Sequence, residues 1–480
     1  MATGTAPRIT EVDVRALDAA RFEPLVGVER MARFEEVAEA TRQRLMGRAV
    51  VNVNSTAVGG GVAEMLQTLL AYARGAGVDA RWLVIQGDPT FFTITKRVHN
   101  GLYGTAGDGG VLGAAERSHY EHVARVNAEE LLPVVGPEDV VLLHDPQTAG
   151  LAPALRRLGT KLVWRCHVGR DVPNEWTERS WEFLRPYLEE VDAFVFSRAE
   201  FAPSWIEPDC VFVVPPSIDP FSAKNEPISE RNVRLALAHA GLLEGDGAPP
   251  LVPFTRRDGS PGRMMRRADV VQAGPPPPAS APLVIQASRW DPQKDMAGVM
   301  EGFARHVDHS LGAHLLLAGP AVTGVADDPE AACVYEDCLA RWRRLPNTMR
   351  SRVHLACTPM TDPDEAAALV NALQRHATIA CQKSFAEGFG LTVAEAMWKG
   401  TPVVASAVGG IVDQVTSGQQ GLLVEDPADL EAFGAALEQL LRNPAETARM
   451  GRNARERATR DLLGDTHLAR YADVFATLVG

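Results

Sequence analysis

The chain alternates short apolar strand patterns with helical patterns in two separate series, and this alternation restricts its fold most. The first series runs from Arg48–Asn54 to Val211–Val214, and the second runs from Pro282–Ser288 to Gly421–Val424. Strands that alternate with helices form parallel sheets whose faces are covered. The sequence therefore predicts an α/β protein with two Rossmann-like domains, in which ligands bind at the carboxyl ends of the strands.

The length of 480 residues is sufficient for two domains and a connecting segment. Residues 246–280 are rich in Gly, Pro and Arg, which predicts a poorly packed insertion that proteases cut early. The predicted organisation is an N-terminal extension at 1–45, a first domain at 46–220, a linker with this Pro/Gly-rich insertion at 221–280, a second domain at 281–460 and a C-terminal helix at 461–480.

Composition excludes several classes of function. Lys and Arg number 48 against 61 Asp and Glu, and the net charge of −13 argues against non-specific binding of nucleic acid. No apolar run is long enough to cross a bilayer, and the first residues lack the apolar core of a signal peptide. We therefore expect a cytoplasmic protein. The six cysteines are scattered without a zinc-binding pattern, so buried free thiols and no metal site are predicted.

A strand-like run at Ala377–Cys381 leads into a loop with two glycines, Gly388 and Gly390, and then into a helical pattern. Glycines at such a junction let a ligand approach the backbone, and the free N–H groups of the first helical turn attract anions. Glu387 and Glu395 stand eight residues apart across this junction. A ligand with a phosphate flanked by hydroxyl groups uses all three features, and sugar nucleotides have that form.

A structural interpretation of the same residues stays open at this stage. Thr392 and Glu395 have the spacing of a capping box, in which the glutamate only satisfies backbone donors at a helix start.

Two cations, Arg289 and Lys294, follow the first strand of the second series in a short loop that contains Pro292. A pair of cations at a strand end can stabilise the negative charge that develops on a diphosphate leaving group. The alternative is a solvated basic pair.

Polar side chains also gather at the strand ends of the first series. Asn54 precedes a glycine-rich loop that is neither a G-x-G-x-x-G loop nor a P-loop. His144, Asp145 and Gln147 follow one strand, and His167 ends another. Each has a structural alternative, because a histidine can bond a carbonyl group and an aspartate before proline can start a turn.

The segment from Glu387 to Glu395 resembles the E-x7-E motif of family-4 retaining glycosyltransferases. These enzymes have the GT-B fold, in which two Rossmann-like domains face a central cleft. In that family the first glutamate contacts the donor sugar and the second contacts the nucleotide ribose. Ser288–Lys294 resembles the arginine and lysine segment that holds the donor diphosphate. Ala386 departs from the family, whose members often have arginine there.

Further segments resemble the glycosyltransferring trehalose synthases of this family. They occur in both predicted domains, and they include Asn52–Glu64, Arg81–Asp88, Phe91–Asn100, His144–Gln147, Trp164–His167, Trp181–Leu184, Pro215–Pro220 and Glu387–Gly400.

The resemblance implies transfer of glucose from UDP-glucose or ADP-glucose to free glucose, which forms trehalose. These nucleotide sugars are co-substrates, and no tightly bound cofactor is implied. The implied catalytic residues are Arg289, Lys294 and Glu387. The implied donor-binding residues are Gly60, Gly61, Arg289, Lys294, Glu387, Gly388, Gly390, Leu391, Thr392 and Glu395. The implied acceptor-binding residues are Asn54, His144, Asp145, Gln147 and His167.

Three alternatives stay open. A trehalose phosphorylase shares the fold and uses phosphate in place of a nucleotide. A retaining glycosyltransferase can also act on another small acceptor, such as a cyclitol. An inactive sugar-binding protein keeps the fold without turnover, although the intact set of charged residues argues against it. The expected partners are small sugar substrates, and the sequence leaves a homodimer open.

Overall fold

Two seven-stranded, largely parallel sheets organise the part of the chain that the structure describes. The computed structural model describes residues 9–57, 61–245, 252–322 and 329–480. These residues divide into two units. The first unit comprises the described residues up to Ser217, together with Glu387–Phe389 and Gly464–Gly480, and the second comprises Ile218–Ala386 and Gly390–Leu463.

The first unit contains one of the two sheets and its covering helices. Its strands are β1 (Thr10–Glu11), β2 (Val50–Asn54), β3 (Ala80–Val84), β4 (Val140–His144), β5 (Lys161–Cys166), β6 (Ala193–Phe196) and β7 (Val211–Val213). Its helices up to β7 are α1 (Glu23–Val26), α2 (Val28–Arg44), α3 (Gly61–Gly75), α4 (Pro89–Leu102), α5 (Ala114–Leu131), α6 (Asp145–Thr148), α7 (Ala152–Leu158) and α8 (Glu175–Leu188).

The strand order of this sheet is β1-β3-β2-β4-β5-β6-β7. β1 pairs antiparallel with β3, whereas the other neighbours are parallel. Every residue of β2 and β4 is buried, as expected for strands covered on both faces. The strand order reverses between β2 and β4, and this reversal is the switch point where doubly wound sheets bind ligands.

The second unit contains the other seven-stranded sheet and a two-stranded sheet. Its strands are β8 (Val252–Thr255), β9 (Pro261–Met264), β10 (Asp269–Val271), β11 (Leu283–Ala287), β12 (His314–Pro320), β13 (Val353–Thr358), β14 (Ile379–Gln382), β15 (Val403–Ser406) and β16 (Gly421–Val424). Its helices are α9 (Glu230–Ala240), α10 (Met296–His306), α11 (Pro329–Arg344), α12 (Asn347–Arg350), α13 (Pro363–His376), α14 (Leu391–Trp398), α15 (Ile411–Gln414), α16 (Leu430–Arg442) and α17 (Pro444–Asp461). The last helix, α18 (Gly464–Val479), belongs to the first unit.

The large sheet of the second unit has the order β10-β13-β12-β11-β14-β15-β16. β10 is antiparallel to β13, and the remaining neighbours are parallel. Its switch point lies between β11 and β14. The parallel strands predicted in both series are present, with ends shifted by a residue or two, so the predicted α/β class is confirmed.

The predicted poorly packed insertion at 246–280 is wrong for the described residues 252–280. β8 and β9 form a hairpin with Phe254 and Met264 buried, and β10 extends the large sheet. Three arginines of this segment, Arg256, Arg257 and Arg266, form ion pairs with acidic residues at the N-cap and first turn of α13. Arg256 Nη1 lies 2.6 Å from Asp362 Oδ2. Residues 246–251 lie outside the described residues.

The sequence predicted a separate N-terminal extension at 1–45 and a separate C-terminal helix at 461–480, whereas the described parts of both segments pack into the two units. β1 lies within 9–45 and pairs with β3, so this part belongs to the first unit. α18 belongs to the same unit, and Arg30 Nε on α2 lies 2.6 Å from Asp465 Oδ2 on α18. In the described ranges, no helix has the length and apolarity that a membrane span requires.

Candidate functional site

The predicted donor residues of the second unit lie in loops at its switch point. β11 and β14 are parallel neighbours, although two strands separate them along the chain. The loop after β11 carries Arg289 and Lys294, and the loop after β14 carries Lys383–Ala386. Because the carboxyl ends of parallel strands share one edge of the sheet, the topology brings these two loops together.

Hydrogen bonds connect the two loops directly. The Gln286 side chain at the end of β11 donates from Nε2 to the Lys294 carbonyl oxygen at 2.6 Å, and its Oε1 accepts from the Lys383 backbone N–H at 2.9 Å. The Phe385 backbone N–H donates to the Gln293 carbonyl oxygen at 2.8 Å. The backbone that carries Lys294 is therefore held by the loop that leads to Glu387.

A buried ion pair lies beneath this connection. Lys383 is fully buried, and its Nζ pairs with Asp295 Oδ2. Asp295 has left-handed backbone angles (φ 43°, ψ 49°), and its Oδ1 accepts from the Gly298 N–H at 2.9 Å as the N-cap of α10. A Cβ atom at Gly298 would lie 2.0 Å from the Asp295 carboxylate, so the cap requires glycine there. The Asp295 carboxylate thus joins the start of α10 to the buried cation.

Arg289 and Lys294 differ in exposure. The Arg289 side chain is 59% exposed, and its Nη2 lies 3.1 Å from Asp291 Oδ2. Asp291 Oδ1 accepts from the Gln293 N–H at 2.8 Å and thereby caps the short 3-10 turn Pro292–Lys294. Lys294 is half-buried at the end of that turn. The direct contact of these cations with a diphosphate stays a prediction.

The capping-box interpretation of Thr392 and Glu395 is wrong in this structure. The N-cap of α14 is Gly390, with φ 90°, and it has no side-chain cap. The Thr392 hydroxyl donates instead to Gln382 Oε1 at 2.7 Å. Glu395 is 4% exposed, and its Oε1 lies 3.4 Å from Lys224 Nζ. The glutamate is therefore available for a role other than capping.

Glu387, Gly388 and Phe389 group with the first unit. Glu387 is half-buried. A Cβ atom at Gly388 would lie 2.6 Å from the carbonyl oxygen of His167, which is also in the first unit, so only glycine fits this approach. The roles of these residues in donor binding stay predictions.

A chain of hydrogen bonds lies at the switch point of the first unit. His144, at the end of β4, contacts Asn52 Oδ1 through Nε2 at 3.0 Å and His167 Nε2 through Nδ1 at 3.1 Å. The two imidazole rings stack with their centroids 5.4 Å apart. An amide oxygen only accepts, so Nε2 of His144 carries the hydrogen and Nδ1 accepts from His167. This order leaves the lone pair of a neutral His167 on Nδ1.

Burial keeps both imidazoles neutral. Desolvation, together with the fully buried Arg165, lowers the pKa of His144 to about 3. The same two causes, with a contribution from His144, hold the pKa of His167 well below its ordinary value. Neutral rings can accept and donate hydrogen bonds without charge, which suits the recognition of sugar hydroxyl groups.

Asp145 has a strained backbone and a perturbed carboxyl group. Its φ of 64° lies in the left-handed region, which non-glycine residues rarely adopt and which recurs at functional sites. Its Oδ1 accepts from the His167 backbone N–H at 2.8 Å. Desolvation nevertheless raises the pKa of Asp145 to about 6. Asp145 therefore holds the backbone of His167 in position beside the histidine chain.

The remaining predicted residues have different positions. The Asn54 side chain donates to the Thr56 carbonyl oxygen at 2.7 Å and accepts from Trp82 Nε1 at 2.8 Å, so its role in acceptor binding stays a prediction. Gln147 is half-buried on α6. Gly61 begins α3, and Gly60 lies outside the described residues.

Several residues of these networks were not assigned a role from the sequence. Asn52 lies two residues before Asn54, and a second polar residue in a buried strand is the signal that points to it. The others have no such signal, because each also has a partner that is distant in the chain; they are Arg165, Lys224, Gln286, Asp295 and Lys383.

The perturbed carboxyl group of Asp145 leads to a test of stability against pH. Its folded pKa of about 6 exceeds the ordinary 3.8, so ionisation costs stability as pH rises between these values. Asp145→Asn keeps the acceptor oxygen and tolerates a left-handed φ. We expect it to stabilise the protein relative to the unchanged chain by roughly 1–3 kcal/mol above about pH 6, and by little near pH 4. Urea unfolding across this range measures the difference.

The matched control is Asp79→Asn. Asp79 is exposed and pairs with Arg81, and the hydrogen bond from Arg81 lowers the pKa of Asp79. Removal of the Asp79 carboxylate is therefore expected to stabilise the protein at no pH. A stability difference for Asp145→Asn that does not change with pH would contradict the expectation. The charged and titratable groups around Asp145 include Arg165, Cys166, His144 and His167, and all four stay unchanged in this variant.

Within the described residues, no three His, Cys, Asp or Glu side chains are grouped so that they could hold a metal ion.

The chain is similar to proteins named as trehalose synthases and trehalose phosphorylases. The family model described as trehalose synthase, N-terminal domain, matches residues 52–203, and the one described as glycosyl transferases group 1 matches 358–457. A trehalose synthase of Pyrococcus horikoshii is 33% identical over 459 residues, which cover 96% of this chain and 96% of that protein. A trehalose phosphorylase of Pleurotus pulmonarius is 25% identical over 425 residues, which cover 84% of this chain and 53% of that protein.

Solved structures share the fold. The α,α-trehalose-phosphate synthase (UDP-forming) from Burkholderia xenovorans, in complex with glucose-6-phosphate, has a TM-score of 0.63 and 16% identity over 90% of this chain and 100% of that chain. This likeness confirms the GT-B fold that the sequence motifs implied. The match to the Pyrococcus horikoshii protein spans nearly the whole of both chains and shows the family. The chain belongs to the trehalose synthase family of glycosyltransferases.

Proposed function

We propose that this chain is a retaining glycosyltransferase that moves glucose from UDP-glucose or ADP-glucose to glucose and forms trehalose. The observation that carries the proposal is the end-to-end similarity to trehalose synthase. The connected loops at the switch point of the second unit support it, because the loop that carries Arg289 and Lys294 is hydrogen-bonded to the loop that precedes the glycine-capped helix α14. The fold relative whose name includes UDP formation supports a nucleotide donor.

The proposed mechanism assigns the leaving group to the second unit. Arg289 and Lys294 stabilise the charge that develops on the diphosphate, and the N–H groups at the start of α14 add to this effect. Glu395 accepts hydrogen bonds from the ribose hydroxyls, and Glu387 accepts them from the glucosyl hydroxyls. Each of these contacts raises the rate most if it is stronger in the transition state than in the bound ground state.

The acceptor is bound by His144, Asp145, Gln147, His167 and Asn54 of the first unit. The bond between the glucosyl C1 and the diphosphate oxygen breaks, and a bond from C1 to the acceptor hydroxyl oxygen forms on the same face. The acceptor proton passes to a diphosphate oxygen. Attack on the face from which the diphosphate leaves keeps the α configuration of the donor, and no protein nucleophile takes part.

A direct assay tests the proposal. The purified chain is incubated with UDP-glucose or ADP-glucose and with glucose, and NMR identifies the product. We expect a non-reducing disaccharide joined α,α-1,1. A reducing disaccharide, or turnover only with another small acceptor such as a cyclitol, would refute trehalose formation and leave glycosyl transfer intact. Absence of any turnover would favour the inactive sugar-binding alternative.

The second candidate is a trehalose phosphorylase, which the similarity to the Pleurotus pulmonarius protein favours. The chain spans about half the length of that protein. A phosphorylase releases glucose 1-phosphate from trehalose with phosphate and needs no nucleotide. Incubation of trehalose with phosphate alone, compared with UDP or ADP alone, separates the two reactions.

A further inference from the structure

A short segment of the second unit, Ala223–Glu226, is held against α13 and α14 by four side chains. Asn371 Nδ2 donates to the carbonyl oxygens of Ala223 at 3.0 Å and of Glu226 at 2.9 Å. Arg375 Nη2 donates to the Asn225 carbonyl oxygen at 2.9 Å, and Trp398 Nε1 donates to the same oxygen at 3.1 Å. Lys399 Nζ donates to Asn225 Oδ1 at 2.7 Å. The backbone of this segment is therefore tightly fixed.

The fixed segment presents Lys224 to Glu395. Lys224 Nζ lies 3.4 Å from Glu395 Oε1, and the Lys224 side chain is 27% exposed whereas that of Glu395 is 6% exposed. A buried carboxylate is costly unless a cation or hydrogen bonds compensate it. The nearby Lys399 is directed elsewhere, because its Nζ donates to Asn225 Oδ1 and to the Glu395 carbonyl oxygen rather than to the carboxylate. Lys224 is thus the partly exposed member of the pair, and Glu395 is the buried member.

We propose that Lys224 and Glu395 together recognise the vicinal hydroxyls of the nucleotide ribose, so that Lys224 determines specificity for ribonucleotides over deoxyribonucleotides. The inference rests on the proposed function, which assigns the ribose to Glu395. A carboxylate only accepts hydrogen bonds and an ammonium group only donates them. A hydroxyl group does both, so a vicinal diol can donate to Glu395 and accept from Lys224.

The fixed backbone makes this pair suited to selection. A site that is already organised before binding loses less conformational freedom when the ligand enters. A site built to bond a hydroxyl rejects an analogue that lacks it, because the polar groups of the site are then left unpaired. Removal of one ribose hydroxyl should therefore reduce nucleotide affinity by more than the small loss of contact area would.

Titration calorimetry on the full chain tests the proposal with UDP, ADP and their 2′-deoxy counterparts. For the unchanged chain we expect the preferred ribonucleotide to bind roughly 10- to 100-fold more tightly than its deoxy counterpart. In Lys224→Met this ratio should fall by roughly tenfold, because the donor to the hydroxyl oxygen is lost. Lys224→Arg keeps the positive charge and the donors, and it should retain most of the ratio.

Controls separate this role from a structural one. If Lys224 only compensates the charge of Glu395, Lys224→Met weakens both nucleotides equally, and the unchanged ratio overturns the inference. Lys224→Gln, with a neutral donor, provides a second folded variant if the methionine variant has a lowered thermal midpoint. Lys96→Met, on an exposed position of α4, should leave both affinities unchanged. If the unchanged chain binds none of these nucleotides, the proposed function fails as well, a result distinct from an unchanged ratio.

Discussion

Replacement of Lys294 by alanine should lower the rate of glucosyl transfer by on the order of 10² or more. The side chain is half-buried at the end of a turn, and Gln286 holds its backbone carbonyl oxygen at 2.6 Å. Loss of an organised cation beside the departing diphosphate removes stabilisation that is greatest in the transition state. Steady-state kinetics with saturating glucose should show the loss mainly in kcat.

Arg289→Lys should also impair transfer, because a compact ammonium group cannot reproduce the forked contact of a guanidinium group. The matched control is Arg305→Lys on α10, where the arginine is 65% exposed and pairs with Glu301 one turn earlier. We expect that control to keep the activity of the unchanged chain. Near-normal rates in either Lys294→Ala or Arg289→Lys would show that these cations are only surface charge.

Lys383→Met should destabilise the second unit by about 3–5 kcal/mol, because it leaves the Asp295 carboxylate without its buried partner. Lys383 is fully buried, and the Asp295 side chain is 14% exposed. Asp295 also caps α10 and follows Lys294 directly, so the loss disturbs the cation loop as well. Urea unfolding at neutral pH, followed by circular dichroism, measures the stability.

A second variant distinguishes loss of the ion pair from loss of packing. In Lys383→Met/Asp295→Asn both charges are removed, and asparagine still caps a helix and tolerates a left-handed φ. Most of the lost stability should return, because neutral groups replace both members of the pair. Lys96→Met, at an exposed position, should change stability by less than about 0.5 kcal/mol. A cost below about 1 kcal/mol for Lys383→Met would contradict the importance of this pair.

The parallel strands and the loops that follow them could be predicted because their signals are local. The apolar run before Lys383 and the glycines after it mark a strand, a turn and a helix start within twenty residues. The strands β8, β9 and β10 were missed because their segment is rich in Gly, Pro and Arg. Three of its arginines, Arg256, Arg257 and Arg266, pair with the acidic start of α13, and Arg257 Nε lies 3.1 Å from Asp364 Oδ1. That compensation comes from a distant part of the chain, so composition could not reveal it.

The residues of the candidate site also fall into a group that could be predicted from local sequence and a group that could not. Its two loop cations, the exposed Arg289 and the half-buried Lys294, were identified by their place after a strand. The groups that hold the site together were not, because each pairs across a long separation. Lys383 and Asp295 are 88 residues apart, and His144 and Asn52 are 92 residues apart.

The sequence by itself determined the two α/β series and the switch-point loops, because periodicity and glycine positions act over neighbouring residues. The family followed from the resemblance of its motifs to those of known enzymes. Only the tertiary structure decided which buried charges are paired, that Thr392 bonds Gln382 rather than capping α14, and that Lys224 faces Glu395. Desolvation is the physical reason. It makes an unpaired buried charge costly, so the identity of each partner depends on which residues the folded chain brings within a few ångströms.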